Sequence, residues 1–456
     1  MTSAAIKHTE EMAPRPDDSS SSSSTFPGDL FGFRKGKLFG ETSAHVKKEK
    51  LPGMSTLPKP TFWDWISGSP FVLIYSPNTL WCVASLAFYF AFPYDLSPTG
   101  AASKSPFSWD FFIQRFPLWF CLTFGYTAFW HVSLYLWNWA KRPFIKDRPY
   151  NLDKVFHNMF WSISGIAIWT LFDNVFAFLW ATGRLPYISD KTSFSTTEGF
   201  IKFALATMLV PVWRDAHFYF AHRLLHFKPL YMQVHSLHHR NTDIEPFSGL
   251  CMHPMEHLYY YACILPSLVF VCSPFAFVWN GAHLLLSPGA SHSGYEDHFQ
   301  ADAFHYMHHR YFECNYAGFG ASFLDVMMGT FTESMEAKDK DGAKLRADAK
   351  STLRTPPTIE FILYLASASA CVAAWAYYAM QVASGAIVLA PNMVLAYAFL
   401  AGFGPVIVSS IITEMFGGVG GTPMFKSLAS VAHILVGTLF CSVPVTYACY
   451  LALTPK

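Results

Sequence analysis

The chain has 456 residues, of which 52% are hydrophobic and 18% aromatic while 14% are charged, a membrane protein's composition. A formal net charge of +1 lacks the basic excess by which a nucleic-acid binder declares itself. The nine cysteines are odd in number, form no Cys-x-x-Cys pair and mostly sit in apolar segments, so they read as packing residues in a reducing compartment.

Residues 1–60 are polar, with six serines in a row from Ser19 to Ser24, and read as a disordered tail. No apolar core lies close to Met1, so membrane insertion is expected to use an internal span. Residues 61–212 hold apolar runs at Thr79 to Tyr94, Phe116 to Trp137 and Phe160 to Trp180, each near the ~20 residues that cross a bilayer, and a fourth, Phe200 to Val212, that runs directly into the first histidine box. The loop carrying Lys141, Arg142, Lys146, Arg148 and Lys154 is placed in the cytoplasm by the positive-inside rule. Counting from it puts the tail, with Lys47, Lys48 and Lys50, in the cytoplasm too. The fourth run then returns the chain to that side at Asp215.

Residues 213–331 carry the chemistry, because fourteen of the nineteen histidines lie between His217 and His309. They form three boxes: His222 and His226; His235, His238 and His239; His305, His308 and His309. Residues at i, i+3 and i+4 share a helix face, so each box is expected to aim its imidazoles in one direction. Eight imidazoles are too many for one tetrahedral ion and suggest two metals, each with an open position. Imidazole suits iron, zinc and copper, and no thiolate cluster pulls the site towards structural zinc.

Between the second and third boxes, Leu258 to Leu286 is apolar but broken by Pro266 and Pro274. It reads as a hairpin that dips in and returns, which lets His292 and His305 rejoin the earlier boxes. His292 is expected as a further ligand. His253, before Pro254, is expected as a ligand or a helix cap. His217 is turned off the His222/His226 face and reads as support, together with the carboxylates Asp215, Glu256 and Glu296, which are expected to orient imidazole N–H groups. His257 is a weaker candidate, and His131 and His157 are expected to pack within the spans. The Glu-x-x-His pairs of a soluble di-iron bundle are absent. A charged connector at 332–357 and three further apolar runs within 358–456 complete the expected organisation.

These boxes, with His253-Pro-Met-Glu256, His292-Ser-Gly-Tyr295, Asn315-Tyr316 and Leu324-Asp325-x3-Gly329-Thr330, resemble the fatty acid hydroxylase and sterol desaturase superfamily over about Trp213 to Phe331. The resemblance implies an all-α, multi-span endoplasmic-reticulum enzyme with a histidine-ligated di-iron site in a cytosolic cap. It also implies O2 as oxidant and electrons from NAD(P)H through cytochrome b5 or a similar carrier. Members include sterol C-5 desaturases, C-4 methylsterol oxidases, sphingolipid and fatty acid hydroxylases, and alternative squalene epoxidases. The polar tail and the runs after the third box depart from the typical sterol desaturase, and the absence of His-Pro-Gly-Gly points to a separate electron donor. No cation is read inside the spans, which favours a neutral sterol or squalene as substrate over a free fatty acid. Readings of another class are a zinc-dependent membrane hydrolase and a histidine-rich metal transporter, whose histidines would lie in mid-span.

Overall fold

The computed structural model describes residues 77–140, 143–145, 150–226, 230–231, 234–296, 301–312 and 314–332, with Tyr447 and Leu451. The expected polar tail lies outside the described residues, as do the charged connector beyond Thr332 and, apart from Tyr447 and Leu451, the C-terminal runs. Every regular element among the described residues is helical, and one isolated bridge joins Pro143 to Tyr295.

The helices are α1 (Pro77–Ala91), α2 (Ala101–Lys104), α3 (Trp109–His131), α4 (Leu152–Ala181), α5 (Asp190–Ser195), α6 (Thr197–Leu225), α7 (Pro254–Tyr261), α8 (Leu265–Val269), α9 (Pro274–Ser291), α10 (Ala301–Tyr311) and α11 (Phe323–Met327). Their starts follow from local chemistry. The side chains of Ser108, Asn151, Thr196 and Ser273 accept the N–H groups of Phe111, Lys154, Gly199 and Phe275, supplying acceptors that a helix N-terminus lacks. Gly183, at φ +64°, follows the end of α4 in a conformation that suits glycine.

Among the described helices, α4 is the one long and apolar enough to cross a membrane by length and composition; α1 is apolar but has 15 residues. The run expected from Phe116 begins earlier, at Trp109, because Ser108 caps it. That brings Arg115 into the helix, one residue before the expected run. Arg115 is buried, donates from Nε to Asp173 at 3.0 Å, and is held there by a carboxylate that also accepts Trp119 Nε1 at 2.7 Å and the Tyr94 hydroxyl at 2.5 Å. The expected boundary at 212/213 falls inside α6, which runs unbroken from span to box.

Directions decide where the site can form. Arg115 meets Asp173 and His131 approaches the Asn158 region through Glu245, so α3 and α4 are antiparallel. Phe203 stacks on Phe275 at 5.1 Å and Trp279 Nε1 donates to Thr207 O at 2.9 Å, so α6 and α9 run parallel. The last turns of α6 and α9 therefore finish at one level, bringing the first box to His292. The out-and-back path expected for Leu258 to Leu286 is present: Tyr260 donates to Leu284 O at 2.9 Å and Asn280 to Cys263 O at 3.0 Å, on either side of the turn at Val269.

An aromatic core fixes this arrangement. Trp169 stacks on Phe277 at 5.0 Å and meets Trp119 edge-on at 5.9 Å, and Phe176 stacks on Phe277 at 4.4 Å. Each fully buried side chain of this size contributes about 1.5–3 kcal/mol from apolar burial, and each ring pair ~0.5–1.5 kcal/mol more. The contact needs Gly281, since a Cβ there would stand 1.9 Å from Trp169 Cζ2.

Candidate metal centre

Four segments end at the same face and carry the histidines. The last turn of α6 presents His222 and His226, and a 3-10 turn, His235–Arg240, presents His235, His238 and His239. His292 is the C-cap of α9, and α10 carries His305, His308 and His309. Their ring nitrogens assemble into two groups. One holds His222, His226, His235, His239 and His308; the other holds His238, His292, His305 and His309, with one nitrogen from each residue within 4.8 Å of the rest of its group.

The expectation that each box aims in one direction is corrected. His238 leaves its box for the second group, and His308 leaves His305 and His309 for the first. On α10 the i, i+4 pair His305 and His309 stays together, as helical periodicity requires, and the i+3 position diverges. Two boxes thus straddle both groups and tie them together.

What orients the imidazoles is chiefly backbone. Nδ1 of His222 donates to Tyr316 O at 2.7 Å, of His308 to Cys314 O at 2.6 Å, of His238 to Cys251 O at 3.3 Å, and of His292 to Pro288 O at 2.8 Å. The Pro288 carbonyl lies in the last turn of α9, where carbonyls have no partner within the helix. Glu256 is the carboxylate that performs the expected role, standing 2.6 Å from His235 Nδ1. The expectation that carboxylates would generally orient the ring N–H groups is corrected, because these carbonyls do most of that work.

The tautomers follow, and they provide a test of fit. A carbonyl only accepts, so Nδ1 of His238 and of His292 carries the hydrogen and each Nε2 keeps its lone pair. Those Nε2 atoms face each other at 3.4 Å, where no hydrogen bond is possible. In the other group, Nε2 of His235, His239 and His308 lie 3.1, 3.1 and 3.2 Å from His226 Nε2, which can donate at most one hydrogen. Nitrogens about 2.1 Å from a shared ion lie roughly 3.0 Å apart at right angles and about 3.4 Å apart at tetrahedral angles. The spacings match, and a cation converts lone-pair repulsion into ligation.

Electrostatics agree. Burial drives His222, His226, His239, His292, His305, His308 and His309 well below the usual histidine range, His235 to about 3 and His238 to about 4. All nine are neutral near pH 7, the form that ligates metal. Burial raises Glu256 to about 8; a cation on His235 would draw the carboxyl back towards its ionised form.

The remaining expected residues lie elsewhere. His253 belongs to neither group: its side chain caps α7, accepting the Met255 N–H at 3.2 Å ahead of Pro254. His217 is buried one turn from Trp213, with rings 6.1 Å apart, and also belongs to neither group. Asp215 pairs with Arg214 at 2.9 Å and packs so closely on Gly318 and Gly320 that a Cβ at either would approach it within 2.3 and 2.4 Å. It anchors the loop whose Tyr316 carbonyl orients His222. Asp325 braces the same loop, accepting the Tyr316 and Ala317 N–H groups at 2.9 Å each. Glu296 stands four residues beyond His292, next to the bridge at Tyr295.

Sequence reasoning missed a buried support for the second box. Glu245 lies 2.8 Å from His131 Nδ1, accepts Asn158 Nδ2 at 2.8 Å, and caps the turn Pro246–Leu250 that leads to the Cys251 carbonyl. Spacing could not reveal it, since 114 residues separate Glu245 from His131.

Residues 207–330 match the fatty acid hydroxylase family. Among curated proteins, the chain is 30% identical over 127 residues to Delta(7)-sterol 5(6)-desaturase ERG3B of Gibberella zeae, covering 25% of this chain and 38% of that protein. It is 29% identical over 140 residues to methylsterol monooxygenase 1 of Gallus gallus, covering 28% and 47%. It is 31% identical over 147 residues to fatty acid hydroxylase domain-containing protein 2 of Macaca fascicularis, covering 30% and 41%. The chain thus spans less than half the length of these relatives. No solved structure matches it.

Proposed function

We propose that this chain, whose residues 207–330 make up a domain of the fatty acid hydroxylase and sterol desaturase superfamily, is a di-iron, O2-dependent membrane oxidoreductase acting on a sterol-pathway lipid. The observation that carries this reading is the convergence of nine neutral imidazoles into two groups whose lone pairs oppose one another. His222, His226, His235, His239 and His308 would hold one ion, and His238, His292, His305 and His309 the other. Iron held there supplies the activation of O2, with electrons drawn from NAD(P)H through a separate carrier such as cytochrome b5.

The residues of the chain supply position and exclusion. Carbonyls of Tyr316, Cys314, Cys251 and Pro288 lock the rings against rotation, and eight of the nine histidines are buried, which keeps bulk water from the groups. Phe218 forms the wall towards the helix bundle, its ring 4.6 Å from His222 and 6.3 Å from His305. A lipid entering from the bundle side would meet that ring before the imidazoles. A multi-span placement in the endoplasmic-reticulum membrane, with the histidines on the cytosolic side, fits the exposed apolar face of α6: Phe200, Ile201, Leu205 and Leu209 are each half exposed or more.

The relatives' names divide between a desaturase and a monooxygenase, so the outcome on the substrate is set by the pocket. Sterol profiling decides it, in yeast strains lacking either squalene epoxidase or sterol C-5 desaturase, with and without this chain. Restored squalene epoxide identifies epoxidation, and a gained ring double bond identifies desaturation. Failure of both by an iron-loaded chain moves the reading to C-4 methyl oxidation or fatty-acyl hydroxylation. Zinc in place of iron, with oxygen-independent turnover, would replace it by a hydrolase.

A further inference from the structure

The segment that follows the third histidine box, Cys314 to Ala317, supplies two backbone acceptors to the five-histidine group. Nδ1 of His308 donates to Cys314 O at 2.6 Å, and Nδ1 of His222 donates to Tyr316 O at 2.7 Å. In each case the peptide unit that offers the carbonyl is also held by its N–H. The Asn315 N–H, in the plane of Cys314 O, donates to Thr330 O at 2.9 Å. The Ala317 N–H, in the plane of Tyr316 O, donates to Asp325 Oδ2 at 2.9 Å. A peptide unit is planar, so a fixed N–H direction fixes that of the carbonyl.

We propose that Asn315 is a positioning residue for the five-histidine group, setting the peptide planes whose carbonyls orient His308 and His222. Its dihedral angles set the first of these planes against the next, whose Tyr316 N–H donates to Asp325 Oδ1 at 2.9 Å. Its φ of +52° lies in the left-handed region, which asparagine adopts more readily than most residues with a side chain. The side chain is wholly buried and fully engaged: Nδ2 donates to Phe304 O at 3.2 Å and to Thr332 O at 3.1 Å, and Oδ1 accepts the Thr332 N–H at 2.7 Å. An amide offers donors and an acceptor together, and a carboxylate does not.

The four-histidine group takes its backbone acceptors from other segments, Cys251 O for His238 and Pro288 O for His292. Asn315 therefore serves one group and not the other, which separates positioning from general support of the fold. Loss of a partner that orients a ligand costs about 10–100-fold in metal affinity. That cost falls on the ion held through His222 and His308, whereas a residue that only supported the fold would weaken both groups alike.

The inference rests on the two-ion reading of the histidines, and the experiment tells the failure of one from that of the other. Iron per full-length chain is measured by elemental mass spectrometry after competition with a chelator, for Asn315→Gly alone and combined with His226→Ala or His292→Ala. Glycine keeps the left-handed backbone open and removes the side-chain bonds. Asn315→Gly is expected to weaken one ion about 10–100-fold and to leave the other. Added to His226→Ala, which already lacks the five-histidine ion, it is expected to remove no further iron. Added to His292→Ala, it is expected to remove the remaining ion. Asp325→Asn keeps the shape but cannot accept both the Tyr316 and the Ala317 N–H; it is expected to give the same pattern and serves if the glycine variant does not fold. Equal iron loss in the two histidine backgrounds, or two ions kept at wild-type affinity by a folded variant, overturns the proposal. A wild-type chain that holds fewer than two ions overturns the two-ion reading, and the proposal with it.

Discussion

His235 and Glu256 meet at 2.6 Å, ring Nδ1 to carboxylate Oε1, with both side chains almost wholly buried. Through this contact α7 orients an imidazole of the second histidine box. Replacing Glu256 with Ala removes the acceptor that fixes the His235 tautomer. Losses of such partners typically cost about 10–100-fold in metal affinity, and iron competition against a chelator is expected to show a fall of that order in Glu256→Ala.

The two groups make stoichiometry informative. His226 is shared by three close contacts in the five-histidine group and His292 by two in the four-histidine group. His226→Ala and His292→Ala are each expected to lose about one of two bound ions, read as iron per chain by elemental mass spectrometry. A wild-type protein that never exceeds one ion per chain would contradict the two-ion reading.

Packing yields a prediction independent of metal. Gly281→Ala places a methyl group 1.9 Å from Trp169 Cζ2 at the centre of the aromatic core. Overpacking of this kind costs about 1–3 kcal/mol, so thermal unfolding in detergent is expected several degrees lower. A change at the exposed Gly125, where a Cβ meets nothing within 4 Å, is the control.

Acid acts through the same imidazoles. Their folded pKa values lie below the ordinary 6.5, as far as about 4 for His238 and about 3 for His235. Between those values and 6.5 these imidazoles bind more protons in the unfolded chain than in the folded one, so their contribution to stability falls as pH drops through that window and is level above it. Metal-free protein is expected to show a melting temperature rising from about pH 4 to 6.5 as the imidazoles lose their protons, and then declining towards pH 8, because Glu256, raised to about 8, must ionise in the fold. A flat profile throughout would mean that these rings are not buried and neutral.

The helical class, the hairpin that returns the chain after Val269, and eight of the nine converging histidines were legible in the sequence, because hydrophobic periodicity, proline and box spacing are local signals. His292 was legible too, from the irregular segment around it. Only the tertiary structure decided how the boxes divide. The parallel course of α6 and α9 brings distant segments to one face, so His238 and His308 are assigned by which ring lies across from them and not by which lies four residues away. The same holds for the acceptors. A backbone carbonyl such as that of Pro288 or Tyr316 has no identity in a sequence, because every residue carries one. Its role exists only once the fold places it against a particular imidazole. Arg115 and Asp173, 58 residues apart, became a pair only when α3 and α4 packed antiparallel.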